Sequence, residues 1–292
     1  MSDDLRRIEA PPTLPKRQAD GHKGRYGTIL ILAGGRGMAG AAALAGAAAL
    51  RSGAGLVRVA CPAEVQPTVA SFEPSYMTYP LDNDADGFVR FESARKALET
   101  KLLPSADVLA IGPGLGQSED VRLLVRWIVE HATIPTIIDA DALNVLAGQT
   151  EALGALGRPV IVTPHPGEFA RLTGRPIEEI QADRRLHASA FAAAENLVVV
   201  LKGAGTVVTD GRKIYVNTSG NPGMATGGSG DVLTGVIAAL LGQGLPAFEA
   251  AALGTYAHGL AGDIARDQNG EVGMIAGDIV DALADAFSHL AP

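Results

Sequence analysis

The residues with the clearest chemical potential are Gly227-Gly228-Ser229-Gly230-Asp231, which run straight into the apolar segment that begins Val232-Leu233. Glycines at a helix start leave main-chain N–H groups bare, and the helix N-terminus adds the positive end of its dipole. Such a loop holds a phosphate or stabilises charge that develops on a phosphoryl group in transfer. Asp231 reads either as a capping carboxylate or as a base that takes the proton of a substrate hydroxyl attacking phosphorus. The flanking glycines favour the base.

Other chemistry-bearing groups sit where apolar runs end. Lys202-Gly203-Ala204-Gly205-Thr206 brings main-chain amides, a hydroxyl and an ammonium to one point, which suits a nucleotide as well as an ordinary hairpin entry. Thr163-Pro164-His165-Pro166-Gly167-Glu168 fixes the backbone on both sides of a histidine, which is either a ligand contact or a surface hydrogen-bonding residue. Asp139 and Asp141, with Asn144 one helical turn on, either cap a helix or hold Mg²⁺ through water. Gly112-Pro113-Gly114-Leu115-Gly116 lets a ligand pack against bare backbone.

One motif points elsewhere. Gly35-Arg36-Gly37-Met38-Ala39-Gly40 fits the G-x-G-x-x-G dinucleotide fingerprint, but the next apolar run ends at Cys61-Pro62 with no acidic residue placed to hold a ribose. A dehydrogenase reading is set aside on that ground.

The elements that must position these loops emerge from the hydrophobic pattern. Short β-like runs at 28–33, 56–60, 107–111, 136–139, 159–162 and 197–201 alternate with helix-patterned segments. The helices are expected at 39–52, 118–131, 177–194, 229–241, 246–266 and 276–289. Nearly continuous apolar strands imply a mostly parallel sheet covered on both faces, with functional residues at strand C-terminal ends. Residues 206–217 read as two short strands joined at Asp210-Gly211, an antiparallel hairpin attached to that sheet.

Composition excludes several classes. The balance of 24 basic and 32 acidic residues gives a net charge of −8, which lacks the footprint of a nucleic-acid binder. Cys61 is the single cysteine, so an intrachain disulfide and a cysteine-rich metal cluster are ruled out, and a buried thiol is expected. The first residues lack a secretory pattern, and the longest uncharged run is too short to span a membrane, so a cytoplasmic location is expected. The Ala-rich helices suit core packing or, in a homo-oligomer, subunit packing.

Taken in order, the motifs resemble those of the NAD(P)H-hydrate dehydratases, relatives of ribokinase and hydroxyethylthiazole kinase. The resemblance runs from His22-Lys23-Gly24-Arg25-Tyr26-Gly27 through Gly40-Ala41, Arg51-Ser52-Gly53-Ala54-Gly55-Leu56-Val57 and the glycine loop at 112–116. It continues through Asp139-Ala140-Asp141-Ala142-Leu143-Asn144, the His165 and Lys202 motifs and the loop ending at Asp231. It implies a ribokinase-like α/β/α three-layer sandwich, with residues 1–25 an N-terminal extension and 26–292 one domain.

It further implies ADP- or ATP-dependent repair of the S-epimer of NADHX and NADPHX, with Mg²⁺ as cofactor. Hydrated-nucleotide contacts would fall on Ala41, Gly114, Gly116, His165 and Asp231. Adenine-nucleotide contacts would fall on Lys202, Gly203, Ala204, Gly205, Thr206 and Gly230, with Gly227, Gly228, Ser229 and Gly230 as the anion hole. Asp231 would deprotonate the ring hydroxyl, and phosphorylation would turn hydroxide into a good leaving group. Some relatives carry an epimerase domain, so the expected functional partner is a separate epimerase. The rival reading is a small-alcohol kinase of the thiazole type, which would release its phosphorylated product.

Overall fold

The computed structural model describes residues 5–14, 16–154 and 157–290. Ten strands form one sheet: β1 (Arg6–Ile8), β2 (Thr28–Leu32), β3 (Leu56–Pro62), β4 (Met77–Leu81), β5 (Val108–Ile111), β6 (Thr136–Ile138), β7 (Val160–Val162), β8 (Val198–Leu201), β9 (Val207–Thr209) and β10 (Lys213–Val216). Their spatial order is β1-β10-β9-β8-β7-β6-β5-β2-β3-β4. Only β9 runs against the others, pairing antiparallel with both β8 and β10. The turn between β9 and β10 is the expected one: Gly211 has a φ of 81°, and the Asp210 carboxylate accepts from the amides of Arg212 and Lys213 at 2.9 and 2.6 Å.

The helices are α1 (Ala39–Arg51), α2 (Gln66–Phe72), α3 (Phe91–Ala97), α4 (Glu119–His131), α5 (Ala140–Val145), α6 (Glu151–Gly154), α7 (Pro166–Thr173), α8 (Ile177–Ala182), α9 (Arg184–Ala194), α10 (Ser229–Gly242), α11 (Ala247–Asn269) and α12 (Ala276–Leu290). The expected single helix over 177–194 is two helices. Asp183 interrupts it, leaving helical geometry and accepting the Leu186 amide at 3.0 Å as the cap of α9.

Strand alternation feeds two cores. Ile29, Ile31, Val59 and Val200 pack with α1, α10, α11 and α12 on one face, while Leu30, Leu32, Val199 and Leu201 pack with α4, α5, α7 and α9 on the other. Each such fully buried aliphatic side chain contributes about 1.5–3 kcal/mol. The result is the three-layer α/β/α arrangement that continuous apolar strands require. Cys61 is fully buried on β3, and burial pushes its thiol pKa up to about 12.

Gly235 and Gly112 are among the places where main chain meets main chain with no side chain between. Gly235 of α10 lies on the backbone of α1, where a Cβ would collide with the Ala45 carbonyl oxygen. At the end of β5, Gly112 adopts a φ of 130°, and a Cβ there would collide with the Asp139 carbonyl oxygen. Strands β5 to β8 are consecutive in the sheet and all parallel, so the loops at their C-terminal ends form one row.

Candidate active site

A cavity of about 930 Å³ opens along that row. Asp139 from the end of β6, His165 and Glu168 from the end of β7, and residues 202–206 from the end of β8 line it. Ser229, Gly230 and Asp231 enter from the first turn of α10. Residues from four separate expectations thus share one space.

Asp139 is the hub. Its carboxylate, 1% exposed, accepts the Lys202 ammonium on Oδ1 at 2.9 Å and the buried Thr234 hydroxyl on Oδ2 at 2.7 Å. It occupies the cap position of α5 without making a side-chain cap, so its charge serves the cavity rather than the helix end. The next residue, Ala140, has a φ of 49°, a left-handed conformation that costs an alanine energy and turns the chain away abruptly. Asp141 instead accepts the Gly116 amide at 2.8 Å and ties the β5 loop to the β6 loop.

Lys202 sits among carboxylates, with Glu168 Oε2 at 3.7 Å beyond Asp139. Burial works against its ammonium, but Asp139, Glu168 and Asp231 outweigh that and raise its pKa. Asp231 is moved further. Burial, then repulsion from Asp139, pushes its carboxyl up to about 7, and attraction to Lys202 only partly offsets them. Among the described residues its carboxylate accepts no hydrogen bond, so both oxygens are available to a ligand.

Above Asp231 the main chain offers donors. The amides of Gly228, Gly230 and Asp231 make no hydrogen bond among the described residues, as expected of a helix start without a side-chain cap. The Ser229 amide donates to the Thr226 carbonyl, at a long 3.4 Å. Ser229 and Gly230 line the cavity, whereas Gly227 and Gly228 do not. Gly228, with a φ of 93°, supplies the left-handed turn into α10.

His165 is itself a cap. Its Nδ1 accepts the amides of Gly167 and Glu168 at 3.0 and 3.3 Å, and Glu168 returns the contact by accepting the His165 amide at 2.7 Å. Two donors on Nδ1 place the proton of the neutral ring on Nε2. Burial lowers the His165 pKa, Glu168 opposing and Lys202 reinforcing that shift, which favours the neutral ring. The histidine thus caps α7 through Nδ1 and lines the cavity, with its Nε2 3.4 Å from Glu168 Oε1.

Ala41, Gly114 and Gly116 do not line this cavity. They form an adjoining cluster, where the Gly34 amide donates to the Pro113 carbonyl at 2.8 Å and Phe88 packs over Gly35 and Gly116. Three groups escaped the sequence reading. Thr234 lies three residues after Asp231, on the same face of α10, and that spacing was a usable signal. His258 of α11 lines the cavity, and burial lowers its pKa to about 4, so it is neutral; its Nε2 lies 3.4 Å from the Ser229 hydroxyl. Arg184, with carbonyl partners on the β8 loop, gave no local signal.

No cluster of three His, Cys, Asp or Glu side chains with ligand spacing exists among the described residues. Magnesium keeps most of its water and takes one or two carboxylates together with substrate phosphates. With the Lys202 ammonium between them, Asp139 and Glu168 in the cavity wall would meet such an ion through its waters, as one that arrives with a polyphosphate, rather than cage it.

The family model described as NAD(P)H-hydrate dehydratase matches residues 29–285. A bifunctional NAD(P)H-hydrate repair enzyme from Moorella thermoacetica is 47% identical over 95% of this chain, which spans about half (52%) of that relative's length. An ADP-dependent (S)-NAD(P)H-hydrate dehydratase from Neisseria meningitidis is 39% identical over 94% of this chain and 90% of its own. Among solved structures, the ADP/ATP-dependent NAD(P)H-hydrate dehydratase from Bacillus subtilis, co-crystallised with ATP/Mg²⁺, superposes with a TM-score of 0.84 at 36% identity, covering 95% of each chain. The fold is the ribokinase-like one. With a hydroxyethylthiazole kinase the identity drops to 16% and the TM-score to 0.61, a likeness of fold alone. A chain whose mostly parallel sheet gathers a lysine and a capping histidine at its loops, and which the family model and these relatives match almost end to end, belongs to the NAD(P)H-hydrate dehydratase family.

Proposed function

We propose that the chain uses ADP or ATP to dehydrate the S-epimer of NADHX and NADPHX, restoring NADH and NADPH. The observation that carries this reading is Asp231: a carboxylate without a hydrogen-bond partner among the described residues, its pKa pushed up to about 7, beside the bare amides of Gly230 and Asp231. A base whose pKa lies near the working pH is deprotonated in a substantial fraction of molecules and still accepts a proton readily.

In this mechanism Asp231 accepts the proton of the C6 hydroxyl. The oxygen bonds to the terminal phosphorus while the bond from phosphorus to the bridging oxygen breaks, releasing AMP from ADP or ADP from ATP. The amides of Gly230 and Asp231 donate to the oxygens on which charge builds. Phosphate then leaves C6 with the bonding pair, the ring nitrogen's lone pair forms the C=N bond, and loss of a C5 proton gives the dihydronicotinamide. Magnesium, held through its waters by Asp139 and Glu168, would neutralise charge on the phosphates. His165 presents its Nε2–H to the hydrated dinucleotide. The Lys202 ammonium and the amides of residues 203–205 take the adenine nucleotide.

Ala41, Gly114 and Gly116 would bound the far part of the dinucleotide in the adjoining cluster. The natural partner is an enzyme that converts the R-epimer to the S-epimer, and the cofactor pool served is cytoplasmic. The test is to incubate the protein with chemically hydrated NADH, Mg²⁺ and each nucleotide in turn, following the near-ultraviolet absorbance of the dihydronicotinamide. Recovery with stoichiometric phosphate is expected; accumulation of a stable phosphorylated alcohol without recovery would replace this reading with a kinase.

A further inference from the structure

We propose that Arg184 is a positioning residue: its guanidinium gathers the carbonyls of the β8 loop and so turns that loop's amides toward the cavity as an anion cradle. The proposal rests on the reading of residues 202–206 as the nucleotide contact.

Arg184 is the first residue of α9, delivered there by the break at Asp183. Its Nη1 donates to the carbonyl of Ala204 at 2.7 Å and more weakly to that of Gly205 at 3.4 Å. Its Nη2 donates to the carbonyls of Leu201 and Lys202 at 2.6 and 3.0 Å. The one carbonyl left in this run, that of Gly203, accepts the Thr206 hydroxyl at 2.9 Å. Five consecutive acceptors are thereby occupied.

The donors are not. Lys202 N–H goes to the Pro164 carbonyl at 2.9 Å, but the amides of Gly203, Ala204 and Gly205 have no acceptor among the described residues. A peptide unit is a dipole, so fixing the oxygen ends on a cation directs and polarises the N–H ends for a negative partner. The approach depends on Gly203: with a φ of 139°, any Cβ there would lie 3.1 Å from Nη2. The charge of Arg184 thus acts on a bound phosphate or ribose through the backbone and never touches it, which is why no sequence motif contains it.

A purely structural arginine would, on removal, lower stability and turnover together. A positioning arginine predicts a split. In Arg184→Met the dissociation constants of ADP and ATP by calorimetry, and the KM for nucleotide, should rise at least about tenfold, as the loop amides lose the orientation and polarisation that hold the nucleotide. The KM for the hydrated dinucleotide, and kcat at saturating nucleotide, should stay within about twofold. Arg184→Lys, whose single ammonium cannot fork across four carbonyls, should fall between and carries the test if Met unsettles the fold. In Arg184→Ala, millimolar guanidinium ion should recover nucleotide affinity; a second cavity of about 320 Å³, bounded by Asp183, Arg184, Ala204 and Val216, gives it room.

Wild-type nucleotide affinity in Arg184→Met, or a loss of kcat with nucleotide affinity unchanged, overturns the assignment. Failure of the wild-type protein itself to bind ADP or ATP overturns the nucleotide reading of the loop and this assignment with it.

Discussion

Asp231→Asn keeps the shape of the side chain and removes its charge, and the two consequences can be worked separately. The carboxyl titrates at about 7 in the folded protein against an ordinary 3.8. That difference of about 3 units, at ~1.4 kcal/mol per unit, sets an upper bound of about 4 kcal/mol for keeping the charge in place at neutral pH. Because the folded-state value is the higher one, the native state prefers the proton. Stability from this group is complete below about pH 4 and is lost as pH rises to about 7. Asparagine has nothing to lose in that window. Thermal unfolding of both proteins at half-unit steps from pH 5 to 8 should show the variant gaining on wild type as pH rises, by several degrees of Tm, then levelling off above 7. In parallel its turnover should vanish, since an amide cannot accept the proton, while ADP binding persists. A stability gap flat across pH 5–8 would refute the electrostatic reasoning, and retained turnover would remove Asp231 as the base.

Thr234→Val deletes the hydroxyl held at 2.7 Å by a buried carboxylate oxygen, so stability should fall by about 1–3 kcal/mol and turnover with it, whereas Thr234→Ser should restore both; equal behaviour of Val and Ser in calorimetry and rate assays would rule the contact out. Gly112→Ala drives a methyl into the Asp139 carbonyl from a φ closed to alanine; a Tm drop of many degrees or loss of soluble protein is expected, and a wild-type Tm would contradict the packing. Lys202→Met withdraws the cation that restrains the Asp231 pKa, so the rising limb of the pH–rate profile should shift to higher pH along with weakened nucleotide binding; an unmoved limb would mean that Lys202 does not act on the base.

Legibility in the sequence divides along physical lines. Central strands such as β2 and β8 announce themselves because burial on both faces demands unbroken aliphatic runs. Edge strands carry no such demand: β1 is largely exposed, and β4 holds Pro80, which an edge tolerates and a central strand does not. The glycine loops at 202–206 and 227–231 were legible because bare backbone is a local property. The partnership of Asp139 with Lys202 and Thr234 was not, since 63 and 95 residues separate the partners in the chain. Arg184 was invisible for the same reason, compounded by a helix break that turned on one aspartate cap. Ala41, Gly114 and Gly116, expected as hydrated-nucleotide contacts, lie together in a neighbouring cluster, and the cavity is bounded by other residues.

Where Gly235 meets the backbone of Ala45, α10 and α1 touch with no side chain between them. That contact lies in the second turn of α10 and anchors the helix that carries Asp231, while the turn into it at Gly228 rests on the Leu44 side chain. The opposite wall, residues 217–224, rests on α11 through the side chains of Ser219 and Met224. The flexible Met224 side chain gives that wall room to seat a longer or shorter phosphate chain, while the helix that bears the reacting carboxylate stays anchored at Gly235.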